Sequence, residues 1–495
     1  MSLAEKIVML TYMPALIAAV VALALDTFGR RRLAVWMAAS GALVSAGAAG
    51  WGVVASRATN AWDVLAVGAG FSAIGSVVFF LALASVAGGS DWFTSRPHGG
   101  SWAALIVLAA VGASAAATSV DFVGLLVSLE VLATCSYALV TASRNRRADE
   151  AAMKYFIQGA VVTGVIVLAL APIIGIFAPD GSYATLGHAL AGGGLSTAAL
   201  LGGMLLTAAL AFKTGAVPFH SWAPDAYETA PPVVSAFLAT GPKLAGIGAL
   251  GVLGMAFSTA AYGERLSIVL SVLAVLSILV GSIAALGQKS YTRMLGYAGI
   301  AQVGYALVAL AAGYLPSAIL FVVGYSAGSA ATFLAADAFK RVRPEWDGTI
   351  AGLAGLGRKA PLLSLGVSVA LASLAGIPPL LGFWGKFWAF GAAVQNGYLW
   401  LALVAIAGSI VSVAYYGSVL RALYIDVIDG VVPDSDALET GSDAGESGSD
   451  TRPTAGSGGG SAGVAVVVLA ALSLVIGLLP LALSVASLLV PFAIK

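Results

Sequence analysis

The stretch from Ala211 to Gly246, AFKTGAVPFHSWAPDAYETAPPVVSAFLATGPKLAG, sets Lys213 and Lys243 in apolar surroundings on either side of a proline-rich break. A lysine at the middle of a membrane costs roughly 2.5–3.5 kcal/mol on insertion scales, so each marks a candidate functional site. Outward from this stretch the chain is apolar. Of its 495 residues 60% are hydrophobic and 9% charged, whereas soluble domains carry about 25% charge. Apolar runs long enough to cross a membrane recur with short connections, which predicts an all-α polytopic membrane protein built as one helical bundle. The 61 glycines suit helices that pack closely through small side chains.

Composition excludes several kinds of site. Cys135 is the single cysteine and cannot close an intrachain disulfide or by itself hold zinc or an iron-sulfur cluster. His98, His188 and His220 lie far apart without metal-ligand spacing, so no metal is assigned. A net charge of +1 argues against nucleic acid as a partner. The segment GAGFSA, Gly68 to Ala73, matches the dinucleotide fingerprint weakly, but it sits inside an apolar span with no strand before it. Close helix packing accounts for it better. Ile7 to Leu25 is long enough to span and is followed by Arg30, Arg31 and Arg32 without a small-residue cleavage site, so it is read as a first membrane helix and not a cleaved signal.

Counting runs of about 20 apolar residues predicts fourteen spans, near 6–26, 33–55, 64–88, 102–119, 121–142, 150–177, 195–216, 231–258, 266–286, 292–313, 316–339, 361–390, 398–424 and 463–490. They divide into an N-terminal three-helix segment (1–101), five spans over 102–258, five over 266–424, a flexible loop (425–462) and a C-terminal helix (463–495). The loop holds eight acidic residues among many Gly and Ser, a composition that cannot bury enough apolar surface to fold. Loops after odd-numbered spans carry sixteen Lys and Arg, and those after even-numbered spans carry two, Arg57 and Arg265. That bias predicts odd loops in the cytoplasm, the acidic loop among them, with both termini outside.

With loops and termini removed, Lys154, Lys213, Lys243 and Lys386 remain within spans, and Glu130 is the carboxylate near a span centre. Burial favours the neutral form of a lysine and a nearby carboxylate favours the charged form, so such groups can pass protons along a line. Plainer roles stand beside this one. Lys154 is close enough to its span's end to snorkel, Glu130 can serve as a packing partner for a lysine, and His220, after Pro218, can be a loop residue. Pro218, Pro224, Pro231 and Pro232 interrupt the region between the seventh and eighth spans, and GIPPLLG, Gly376 to Gly382, interrupts the twelfth. Unwound backbone at membrane depth is tolerated where it is buried in protein or lines a wet cavity. Paired breaks mark inverted repeats, which places spans four to eight and nine to thirteen in two such repeats, with Lys213 and Lys386 in comparable places.

The stretch from Phe212 to Lys243 closely resembles the subunit N family of proton-pumping NADH:quinone oxidoreductase, the antiporter-like membrane subunits of respiratory complex I. SLEVLATCSY from Ser128, EAAMKYF from Glu150, RMLGYAGIAQVGY from Arg293 and LAGIPPLLGFWGKF from Leu374 resemble the same family. The resemblance implies a fourteen-helix subunit with broken seventh and twelfth helices. By motif position it implies that Glu130 and Lys213 form a fifth- and seventh-helix pair. Lys154, Lys243 and Lys386 would be the sixth-, eighth- and twelfth-helix lysines of a polar axis. Gln302 stands where many members carry histidine, and glutamine orients water without titrating. Tyr325, Ser326, Ser329 and Thr332 would help to hold water along the axis.

The function implied is a translocase subunit that passes protons from Glu130, Lys154 and Lys213 past Lys243 and Gln302 to Lys386. Its own chain would bind no flavin, iron-sulfur cluster or nicotinamide, since flavin, clusters and quinone are expected in partner subunits. Its partners would be other membrane-arm subunits, including neighbouring antiporter-like ones, the lipid bilayer, protons and water. Two rivals are an Mrp-type cation/proton antiporter subunit without a redox partner and a purely structural membrane subunit. The motif PDAYETAP favours the respiratory family over the first.

Overall fold

The structure, a computed structural model, describes residues 3–58, 62–192, 196–258, 260–426 and 460–489. Its helices there are α1 (Leu3–Thr27), α2 (Arg31–Ala58), α3 (Trp62–Gly88), α4 (Ser90–Ser95), α5 (Gly99–Thr118), α6 (Phe122–Val140) and α7 (Arg146–Pro172). There follow α8 (Tyr183–Gly192), α9 (Thr197–Thr214), α10 (Trp222–Thr229), α11 (Pro232–Leu238), α12 (Gly241–Ala256), α13 (Ala260–Leu286) and α14 (Tyr291–Ala311). The last are α15 (Leu315–Val342), α16 (Leu356–Lys359), α17 (Pro361–Ala375), α18 (Leu381–Gln395), α19 (Leu399–Tyr424) and α20 (Gly460–Leu489). Among the described residues 12 helical segments are long and apolar enough to cross a membrane, and two shorter ones, Ala73–Gly88 and Pro361–Ala375, bring the number to the fourteen expected. The acidic segment 425–462 lies outside the described residues except at its ends.

Small side chains let the central helices approach closely. Pro232–Ala256 is buried throughout and α14 nearly so, whereas α7 is the least buried of the long spans. The thin junction between the fourth and fifth spans is a true helix boundary, because Asp121 caps α6 by accepting the Gly124 N–H at 2.6 Å. At the other end of the chain Asp91 accepts from the backbone N–H and the hydroxyl of Ser461, both at 3.0 Å, and from Arg341 at 3.2 Å. Those donors, the Ser461 N–H first, hold its carboxyl below the usual range and fix the start of α20 on the bundle.

Both expected breaks occur, and they are built alike. α9 ends at Gly215 (φ +78°) and α17 at Gly376 (φ +91°), a left-handed conformation that glycine adopts without steric cost. Each glycine is followed three residues later by a proline in a cis peptide bond, Val217–Pro218 and Pro378–Pro379. The caps recur too. Asp121 at the start of α6 forms an isolated bridge with Ser182, and Ser290, which caps α14, forms one with Thr349.

Two expectations need correction. The eighth span is not one helix: α11 stops at Leu238 and α12 starts at Gly241, because Pro242 cannot donate into the ladder and instead opens a new helix. Lys213 and Lys386 do not occupy comparable places either. Lys213 lies in the last turn before its break, while Lys386 lies in α18, beyond the other break.

Candidate functional site

In an α-helix each carbonyl accepts the N–H four residues on, and proline has none to give. Pro242, Pro378 and Pro379 therefore leave the carbonyls of Leu238, Leu374 and Ala375 without backbone donors. Side chains supply what is missing. Tyr227 Oη donates to Leu238 at 3.1 Å, Gln302 Nε2 to Leu374 at 3.0 Å, and Lys386 Nζ to Ala375 at 2.9 Å. Tyr325 Oη likewise donates to Ala239 at 3.1 Å, and Trp222 Nε1 to Phe212 at 3.2 Å beside the first break. Without water, broken helices are stable only with such internal partners, so polar side chains gather at the interruptions.

Lys213 is buried, and its Nζ stands 3.6 Å from Glu130 Oε1 with no hydrogen-bond partner. Glu130, at the middle of α6, also accepts from Thr163 of α7 at 2.6 Å, and its side chain is 37% exposed. At an effective dielectric near 20 such a pair interacts by about 4 kcal/mol, which the partial exposure of Glu130 reduces. Thr214, next after Lys213, packs so tightly on Gly246 that a Cβ there would overlap its methyl group. Lys213 and Lys243 thus flank one crossing of α9 and α12.

Lys243 is buried at the start of α12, and its Nζ donates to Tyr227 Oη at 2.9 Å. Its nitrogen lies 4.9 Å from the centre of the Tyr227 ring, beyond the phenol oxygen it donates to, and 5.9 Å from the centre of the Tyr325 ring. Gly299 of α14 borders it: a Cβ there would stand 3.7 Å from Nζ. One turn along α14, Gln302 is buried and its Nε2 also reaches Tyr416 Oη at 3.4 Å. Its carbonyl partner, Leu374, immediately precedes Ala375, which takes Lys386. Lys386 is buried, donates to Ser409 Oγ at 2.8 Å and lies 5.0 Å from the centre of the Tyr305 ring. Lys213, Lys243, Gln302 and Lys386 therefore follow one another from interruption to interruption through the bundle.

The remaining candidates fall differently. Lys154 is 49% exposed and pairs with Glu150 at 2.8 Å and Asp225 at 3.4 Å. Arg293 joins the same cluster through Asp225 and Glu228, each at 2.8 Å. His220 is half-buried in the first break, with its Nδ1 unpartnered. Ser329 donates to Tyr325 Oη at 3.2 Å, Ser326 Oγ is buried without a partner, and Thr332 donates back to the Ser329 carbonyl in its own helix.

Sequence reasoning missed Tyr227, Tyr305 and Ser409, which border the lysines, Thr163, which bonds Glu130, and Tyr416, which Gln302 reaches. Tyr227 could have been found, since PDAYETAP sets it between Asp225 and Glu228 of a short helix next to the break. Gln302→Leu is expected to leave the Leu374 carbonyl buried and unpaired, at a cost of about 1–3 kcal/mol. Thermal denaturation of the solubilised complex should show a lower midpoint, and an unchanged midpoint would mean that another donor takes over.

The family model described as NADH:quinone oxidoreductase/Mrp antiporter, transmembrane, matches residues 119–412. A protein of Rhizorhabdus wittichii named NADH-quinone oxidoreductase subunit N is 35% identical over 402 residues, 77% of this chain and 82% of the relative. One of the same name from Trichlorobacter lovleyi is 37% identical over 409 residues, 79% of this chain and 80% of the relative. A chain in the solved structure of respiratory complex I from Thermus thermophilus with bound aureothin matches with a TM-score of 0.73 at 26% identity, over 95% of this chain and 97% of that one.

Proposed function

Because the chain belongs to the NADH:quinone oxidoreductase/Mrp antiporter family, we propose that it is a proton-translocating membrane-arm subunit of a respiratory quinone oxidoreductase. The observation that carries this is the succession of Lys213, Lys243 and Lys386, each buried and each beside a helix interruption. Protons enter near Glu130 and Lys213, with Lys154 and its carboxylates at the entrance. They continue through Lys243 and past Gln302, which orients water, and leave by Lys386. Protonation of Glu130 removes the anion facing Lys213 and so frees that lysine to release its proton inward. Tyr325, Ser326 and Ser329 border the middle of this route, with Thr332 further along the same helix and His220 at the first break.

In this function the chain holds no flavin, iron-sulfur cluster or quinone, and electron transfer takes place in partner subunits. Its neighbours are other membrane-arm subunits, which fits a mid-span carboxylate open on the little-buried α7 flank. The twin breaks and twin capped bridges support two inverted halves, 102–258 and 266–424. The bias of Lys and Arg supports a cytoplasmic location for the loops after odd spans.

The test is proton translocation by inverted membrane vesicles that contain the assembled complex, driven by NADH or another donor with a quinone. Lys386→Ala is expected to slow translocation several-fold, because the Ser409 hydroxyl still donates to the Ala375 carbonyl, at 3.3 Å, but no amine remains to exchange protons. Wild-type translocation with Lys213, Lys243 and Lys386 all replaced would overturn the function.

A further inference from the structure

Resting on the function proposed above, we infer that Tyr227 is a positioning residue for Lys243, whose hydroxyl fixes the lysine's terminal nitrogen and closes the helix interruption beside it. One oxygen serves both purposes. Tyr227 Oη accepts from Lys243 Nζ at 2.9 Å and donates its own proton to the Leu238 carbonyl at 3.1 Å, the carbonyl that Pro242 leaves open. Both side chains are buried, so no bulk water competes for either bond.

Tyr227 can hold the amine in one place because α10 is itself held on several sides. Trp222 stacks flat on Tyr155 of α7, with ring centres 4.0 Å apart and planes 4° from parallel, and donates to Phe212 of α9. Pro224 packs on α14 at Gly296, where a Cβ would stand 3.0 Å from Pro224 Cα. Asp225 and Glu228 both grip Arg293 of α14, and the Ser235 hydroxyl donates to the Tyr227 carbonyl at 3.0 Å. A lysine has four flexible carbon bonds, and proton transfer falls off steeply when donor and acceptor lose their geometry. A rigidly mounted phenol removes that freedom at Lys243. Tyr325 presents a ring to the same ammonium, but its hydroxyl bonds Ala239 and Ser329, so the polar contact belongs to Tyr227.

Tyr227→Phe keeps the ring and removes the oxygen. In vesicles containing the full complex, translocation should fall about three- to tenfold while assembly persists. The alkaline side of its pH profile should change shape, where a merely structural defect would scale the whole profile. Added to Lys243→Ala, Tyr227→Phe should cause no further loss. If Tyr227→Phe does not assemble, Tyr227→Phe/Pro242→Ala returns a backbone N–H to Leu238 and should assemble yet remain slow. Wild-type rate and profile in either variant, or an equal loss with and without Lys243, would overturn the inference. If Lys243→Ala itself translocates normally, the proposed function fails, whereas an inactive Lys243→Ala beside a normal Tyr227→Phe sinks the role of Tyr227 alone.

Discussion

Replacing Lys213 by Ala is expected to lower proton translocation more than tenfold while leaving the complex assembled. The expectation follows from what Lys213 does not do. Its Nζ makes no hydrogen bond, so its removal leaves no carbonyl or hydroxyl unpaired, and its contact is the 3.6 Å approach to Glu130. Glu130 keeps its bond from Thr163 and its partial contact with the exterior, so it is not stranded as a bare buried charge. The fold therefore loses little, and the proposed route loses the amine that would take protons from Glu130. About 1.4 kcal/mol of lost interaction in the transfer step suffices for a tenfold change. Glu130→Gln should be milder, since the amide still accepts from Thr163. Translocation and complex content measured on the same membranes check both, and a fall in complex content matching the fall in rate would make Lys213 a packing residue.

The second large effect is structural. Gly382→Val is expected to remove the subunit from the membrane, because a Cβ at Gly382 would fall on the Ser373 carbonyl oxygen, deep inside van der Waals contact. Ser373 accepts the Gly382 N–H at 3.0 Å and bonds Ser473 of α20 at 3.0 Å, so α17, α18 and α20 meet there. Neither neighbour can yield, since the nearest atoms are backbone. A side chain would push α18 outward and draw Lys386 from Ala375. Native gel electrophoresis and immunoblotting of membranes should show the complex absent, and normal assembly would mean that the second break opens without cost.

The number of spans, both major breaks and the buried lysines were legible in the sequence because each leaves a local trace. A charge inside an apolar run and a proline pair inside a span can be seen without knowing any neighbour. The interruption in the eighth span left less, one proline close enough to a helix start to read as helix. The partners could not be seen at all. Ser409 reaches Lys386 from a separate span, and Arg293 reaches Asp225 from 68 residues away, so neither pairing has a period or spacing to betray it. Lys154 shows the limit from the other direction: an apolar run places it within a span, while its exposure is set by how little packs against α7.

The two missing N–H groups of Pro378 and Pro379 constrain which kind of titrating group can serve beside them. An amine has hydrogens to offer whether or not it carries a charge, so Lys386 can lose and regain a proton with the Ala375 oxygen still satisfied. A carboxylate in its place would offer a hydrogen only when neutral, and once ionised would set two oxygens against each other in a dry interior. On the proposed route the backbone chemistry of the kink, where the Ser409 hydroxyl is the other donor to Ala375, would favour over an acid a base whose charge could come and go without the helix having to rearrange.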